Sequence, residues 1–165
     1  MYTAKKPDNN SSIKIIINIE VQNNIHLKYP IIKRALYYAS RLISKQKGEY
    51  FSNSNYQDLC EIYSIWILIS PDKNRSGIIN HYTIKENNII GKYKEDINNY
   101  DLLNIIIVGI NDNNAESEII NLLSRLFLST KETAKSNMKI LKTRYNINID
   151  KKGVKKYDNI WWRSI

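Results

Sequence analysis

Residues 13–22 read IKIIINIEVQ, and this stretch decides the fold class. Ile13, Ile15, Ile17, Ile19 and Val21 recur at period two, with Lys14, Ile16, Asn18, Glu20 and Gln22 between them. Alternation with this much β-branching predicts a strand with one apolar and one polar face. The residues before it, Pro-Asp-Asn-Asn-Ser-Ser at 7–12, are a turn signal. If that turn closes a hairpin, position i pairs with about 19 − i.

After the strand, Pro30 opens a helix where its missing N–H costs nothing. The helix reads PIIKRALYYASRLISKQ, and Gly48 ends it. Its period puts Ile32, Ala35, Leu36, Ala39, Leu42 and Ile43 on an apolar stripe. Arg34, Tyr37, Tyr38, Arg41 and Lys45 are expected on the opposite side. Further strands are predicted at 60–70, 78–86 and 101–110, and helices at 116–128 and 130–145. The order strand–helix–strand–strand–strand–helix–helix predicts a mixed α/β fold.

The 165 residues suffice for one core. A single Cys, Cys60, excludes a disulfide framework and a cysteine zinc site, and is expected to be a small buried apolar residue. His26 and His81 are too few for a His-rich metal site. His26 lies in a loop four residues past Gln22, and His81 in a strand without an evident partner. Trp66 sits among isoleucines and is expected in the core. No apolar run approaches the roughly 18 residues of a membrane span, and residues 1–12 lack a signal-peptide stretch. The expected location is the reducing cytoplasm.

The net charge is +9, built on 19 Lys and only six Arg. With 30 Ile and 22 Asn beside those Lys, A- and T-rich codons have a share in the total, so placement says more than the sum. Residues 21–48 carry Lys28, Lys33, Arg34, Arg41, Lys45 and Lys47 and no acid, and 131–156 form a second basic block around an acidic middle. Such blocks fit two readings: phosphate contacts on a nucleic acid, or solvated helix faces.

Glu20 and Gln22 are two apart on the strand and share its polar face with Asn18. A carboxylate and amides projecting together offer hard oxygen ligands to a cation. The stretches INIEVQ (17–22), YPIIKRALYYASRLISKQKGEYF (29–51) and YSIWILISP (63–71), in that order and at these distances, resemble the PD-(D/E)XK nuclease-family transposases, the recombination-promoting nuclease-like proteins. The resemblance runs from about residue 6 to about residue 110, and more loosely through the helices beyond.

It implies a restriction-endonuclease-like core, a mixed sheet flanked by helices, with a helical C-terminal region. Residues 1–112 would form the core and 113–165 a helical extension and tail. It also implies Mg²⁺-dependent cleavage of DNA, with Glu20 as metal ligand and Glu20 and Gln22 as the catalytic pair. Gln22 stands where many relatives carry Lys. Lacking that charge, it orients groups by hydrogen bonds only.

DNA is the expected partner, contacted by Arg34, Tyr38, Arg41 and Lys45, and the chain is a candidate homodimer. The family places a further Asp on the strand before Glu20. The only upstream acid is Asp8. The strand from Ser12 to Glu20 alone spans about 26 Å at roughly 3.3 Å per residue, too far for ligands of one metal. The expectation is therefore an N-terminally truncated, catalytically impaired copy of the nuclease. The alternative is a non-catalytic DNA-binding or protein-interaction remnant. Trp161 and Trp162 near the end are read as a packed tail or as sequence past a disrupted end.

Overall fold

The computed structural model describes residues 2–7, 12–23, 28–111, 117–130 and 132–148. Asp8, His26, Trp161 and Trp162 lie outside them. The chain divides into two compact units, Met1–Ile110 and Asn111–Ile165.

The first unit is a five-stranded sheet in the order β1-β2-β3-β5-β4. The strands are β1 (Tyr2–Pro7), β2 (Ser12–Gln22), β3 (Glu61–Leu68), β4 (Ile78–Tyr82) and β5 (Leu103–Gly109). β2, β3 and β5 run parallel, and the two edge strands run antiparallel to their neighbours. With the helix α1 (Ile31–Glu49) packed on β3 and β5, this is the mixed α/β sheet expected of a restriction-endonuclease-like core. β1 has no periodic signal of its own and was implied only as the first arm of the hairpin that the turn at 7–12 would close. The hairpin register was foreseen: Tyr2 pairs with Ile17 and Pro7 with Ser12, so i pairs with 19 − i. Glu20 and Gln22 lie past these six pairs, and among the described residues β3 flanks them, with Trp66 opposite Glu20 and Leu68 opposite Gln22.

The face that α1 covers is the polar one. Ile16 is buried there, while Ile19 and Val21 on the apolar face of β2 are exposed. The reason is the neighbouring strands. Ile62, Trp66 and Leu68 of β3 and Ile105 and Ile107 of β5 share the face of Ile16 and join Ile31, Ala35 and Ala39 of α1 in the core. Trp66 is in the core as expected, and its indole N–H donates to Ser64 Oγ at 2.9 Å.

The helix phase differs from the simple stripe. Leu36 is half exposed, and Ile31, Ala35, Ala39 and Gln46 are the buried positions. Regular helix ends near Gln46, since Lys47 is extended and Gly48 takes φ +95°. Gln46 is fully buried. Its Nε2 donates to the Cys60 carbonyl at 2.9 Å, and its Oε1 accepts from the Cys60 N–H at 2.7 Å. This clamp fixes the end of α1 to the start of β3. Cys60 is accordingly half-buried rather than a core residue.

β4 is shorter than its pattern predicts because the Ile84 N–H leaves the ladder for Asp101 Oδ1, at 3.1 Å. Gly109 is required where β5 meets the turn before β4, since a Cβ there would lie 1.6 Å from the Arg75 carbonyl oxygen.

A polar network crosses the other sheet face. Asn104, buried, donates to Glu61 Oε1 at 3.0 Å, and its Oδ1 lies 2.7 Å from His81 Nε2. His81 therefore has a partner, contrary to expectation. Tyr63 donates to the same Glu61 oxygen at 2.8 Å. Burial, that bond and the charges of Glu61 and Asp101 push the Tyr63 phenol up from 10.0 to about 12. The folded chain thus keeps a proton that the unfolded chain releases, so this stabilisation is complete below pH 10 and lost as pH rises toward 12. Tyr63→Phe is expected to flatten the fall in stability between pH 10 and 12, read from denaturant melts. Parallel curves for variant and parent would refute the linkage.

In the second unit, α3 (Glu118–Phe127) and α4 (Ala134–Tyr145) pack together. Arg125 donates to Asn137 Oδ1 at 2.9 Å, and Glu118 takes both the Tyr145 hydroxyl at 2.8 Å and the Arg144 guanidinium. The helices expected at 116–128 and 130–145 are these, with α4 starting later because Thr130 and Thr133 bond each other. A further short helix, α2 (Ile97–Tyr100), was not foreseen. No helix among the described residues is long and apolar enough to cross a membrane.

Candidate functional site

The polar residues of β2 project toward α1, and the two elements build the site between them. Asn18, Glu20, Tyr38, Arg41 and Lys45 line one open cavity of about 400 Å³. Four of the six residues singled out from sequence therefore meet in one place. In α1 they recur at three- and four-residue spacing, which keeps them on one side of the helix. That side flanks the sheet and is not opposite to it. The expected opposition fails because the strands beneath α1 carry the core and leave its β2 flank for polar groups.

Glu20 is half-buried, and Asn18 Nδ2 lies 3.4 Å from its Oε1. It is the only carboxylate lining the cavity among the described residues. Lys45 pairs with Glu49, four residues on and past the break at Lys47 and Gly48, at 2.8 Å, with both side chains exposed. The Arg41 guanidinium stands 5.9 Å from the Tyr37 ring centroid. Tyr37 and Tyr38 meet edge to face at 5.5 Å, and Tyr38 lies 6.1 Å from Trp66. A cation and three rings thus run in contact from the exposed helix flank down to the core.

Gln22 opens onto a separate cavity of about 320 Å³, lined with Lys28, Tyr29 and Arg75 among others, beyond the carboxyl ends of β2 and β3. Arg34 stands between the two. Its Nη1 donates to Gln22 Oε1 at 3.3 Å. Its guanidinium carbon lies 5.4 Å from the Trp66 ring centroid and 5.7 Å from that of Tyr38.

Sequence reading placed Glu20, Gln22 and the helix residues but missed three participants. Trp66 was assigned to the core alone, and its second role as a platform for Arg34 has no periodic signal. Lys28 lies in a loop and Arg75 in a single 3-10 turn, Lys73–Arg75, between β3 and β4, where spacing says nothing about proximity. The basic block of 131–156 is represented among the described residues by Lys135, Lys139, Lys142 and Arg144, all exposed.

The oxygen donors suit a hard divalent cation. Mg²⁺ is commonly held by one or two carboxylates plus phosphate and water oxygens, and Glu20, with the Asn18 amide beside it, provides the charged member of that kind of partial set. No group of three or more His, Cys, Asp or Glu occurs among the described residues, so no protein-only cage is formed there. The site can therefore offer a cation one charged ligand, and offer a polyanion a flank of Arg, Lys and Tyr.

A family model described as PD-(D/E)XK nuclease family transposase matches residues 9–156. No curated protein and no solved structure matches.

Proposed function

This chain belongs to the PD-(D/E)XK nuclease family transposases, and from that membership we propose that it binds DNA along α1 and hydrolyses a phosphodiester at Glu20. The family acts on DNA and generally uses a divalent metal ion. The observation that carries the reading onto this chain is the single cavity in which Glu20 faces Tyr38, Arg41 and Lys45. Glu20 would hold Mg²⁺, with Asn18 and Gln22 fixing its surroundings by hydrogen bonds. When bound, the ion supplies Lewis-acid polarisation of the phosphate and an activated water. Arg41 and Lys45 hold backbone phosphates next to the reacting one, and the Tyr38 ring packs against sugar or base. The chain acts in the cytoplasm, and as a homodimer where both antiparallel strands are cut.

One carboxylate supports slower chemistry than a site that shares a metal between two. The proposed activity is accordingly weak for its family. A second reading, DNA binding without cleavage, rests on the same observation that Glu20 is the only carboxylate lining its cavity among the described residues. Incubation of supercoiled plasmid with the full chain separates the two. Nicking with Mg²⁺ and none with EDTA supports hydrolysis. Binding without nicking in Mg²⁺ or Mn²⁺ supports the second reading.

The helix contacts are tested by salt. Each phosphate contact adds about 0.9 to the slope of log K against log[salt]. The pair Arg41→Ala and Lys45→Ala is expected to lower the slope for a short duplex by nearly two. An unchanged slope would place the DNA elsewhere.

A further inference from the structure

Hydrolysis of a phosphodiester builds negative charge on the non-bridging oxygens, and a site stabilises it best with a cation held in place beforehand. Gln22 carries no charge, and Lys45 is already paired with Glu49. Arg41 leans on Tyr37 at the exposed flank. Arg34 differs from both. It is half-buried, and its partners among the described residues are the Gln22 amide and the rings of Trp66 and Tyr38, all neutral. Its charge is therefore uncompensated by its contacts, and its direction is fixed from three sides.

The position adds to the argument. Trp66, beneath the guanidinium, is the register neighbour of Glu20 on the adjacent strand, and Gln22 is two residues from Glu20 on its own. The guanidinium thus touches the two residues that flank Glu20 in the sheet, one across the ladder and one along the strand. It also sits in the first turn of α1, where a cation opposes the helix dipole and where no acid is present. A local rule broken without compensation is common where function requires the group.

We propose that Arg34 contacts the reacting phosphate and supplies beside Gln22 the positive charge that Gln22 lacks. One Nη1 hydrogen remains on Gln22, and other guanidinium N–H groups donate to a non-bridging oxygen. In the step, the water oxygen forms the new P–O bond and the bond to the leaving sugar oxygen breaks. The water proton goes to solvent and the leaving oxygen takes one from solvent. Arg34 transfers neither proton nor electrons. This rests on the hydrolytic reading above and deepens it.

The test relocates the charge. Arg34→Met keeps an unbranched chain over the two rings and removes the cation, and Gln22→Lys returns one beside it. Duplex binding is measured against NaCl without divalent metal for the parent, Arg34→Met, and the double variant. The slope is expected to fall by about 0.9 in Arg34→Met and to recover in the double variant. Steady-state cleavage with Mg²⁺ is expected to show kcat down about 100-fold in Arg34→Met, with KM little changed, and substantial recovery in the double variant. An unchanged slope in Arg34→Met overturns the proposal. So does a lowered slope that Gln22→Lys does not restore, since the phosphate is then not beside Gln22. A parent that binds but does not cut ends the hydrolytic reading, and the slopes still decide the place of Arg34. If Arg34→Met melts early, Arg34→Gln, which can still bond Gln22, carries the same comparison.

Discussion

Glu20→Gln is expected to reduce Mg²⁺-dependent cleavage about a thousandfold, the rate equivalent of roughly 4 kcal/mol. The substitution keeps the size of the side chain and an oxygen for the Asn18 amide. It removes the one carboxylate that lines the cavity among the described residues. Its effect on the fold should be small, because Glu20 is half-buried and its hydrogen-bond partner among the described residues is Asn18, at 3.4 Å. A bond of that length adds little. DNA binding without metal should persist or tighten, since a negative charge facing phosphates is lost. The measurement is single-turnover cleavage beside a thermal melt and a metal-free binding curve. Cleavage within about tenfold of the parent, 1.4 kcal/mol or less, would remove Glu20 from the chemistry. Loss of cleavage with an equal loss of stability would show that the residue serves the fold instead.

The largest effect on stability is expected at Gln46. Gln46→Leu keeps the burial and deletes both bonds to Cys60, leaving a backbone N–H and a carbonyl without their partner. Each such group costs about 1–3 kcal/mol when it stays buried. A loss of about 3 kcal/mol overall is expected, which lowers Tm by about 10 °C in a chain of this size. Gln46→Glu should cost a comparable amount. It keeps the acceptor for the Cys60 N–H but loses the donor and buries a charge. Circular dichroism melts of both variants test this. A shift of 2 °C or less would mean that solvent reaches Cys60 once the amide is gone.

The sequence was legible where a pattern maps to one geometry. The alternation of 13–22 yields β2, and the turn before it yields the hairpin register, because period two and turn length leave little freedom. The Glu20 side of the site was legible for the same reason: i, i+2 on a strand and i, i+3, i+4 on a helix fix which side chains share a side. What failed was the assignment of faces. Ile19 and Val21 look like core by alternation, yet α1 covers the opposite face, because the choice is made jointly by β3 and β5. Asn104 and His81 show the same limit. Neither has a neighbour in sequence that suggests a bond, and only the pairing of β4 with β5 brings them together. Tertiary partners of polar residues are invisible to periodicity.

The Gln46 clamp also makes α1 a measure of length. Arg34 and Gln46 are twelve residues apart, about 18 Å of helix at 1.5 Å per residue. One end is tied to Cys60 and the other must present a guanidinium to Gln22. Adding or deleting a single residue between them would turn Arg34 by about 100° and shift it by 1.5 Å, leaving every side chain of the site intact and the site undone. The stretch from Gly48 to Asp58 carries no such constraint, since its ends are held independently by the clamp. Among copies of a mobile sequence that drift in length, the interval 34–46 is therefore where a one-residue change silences the site without touching it.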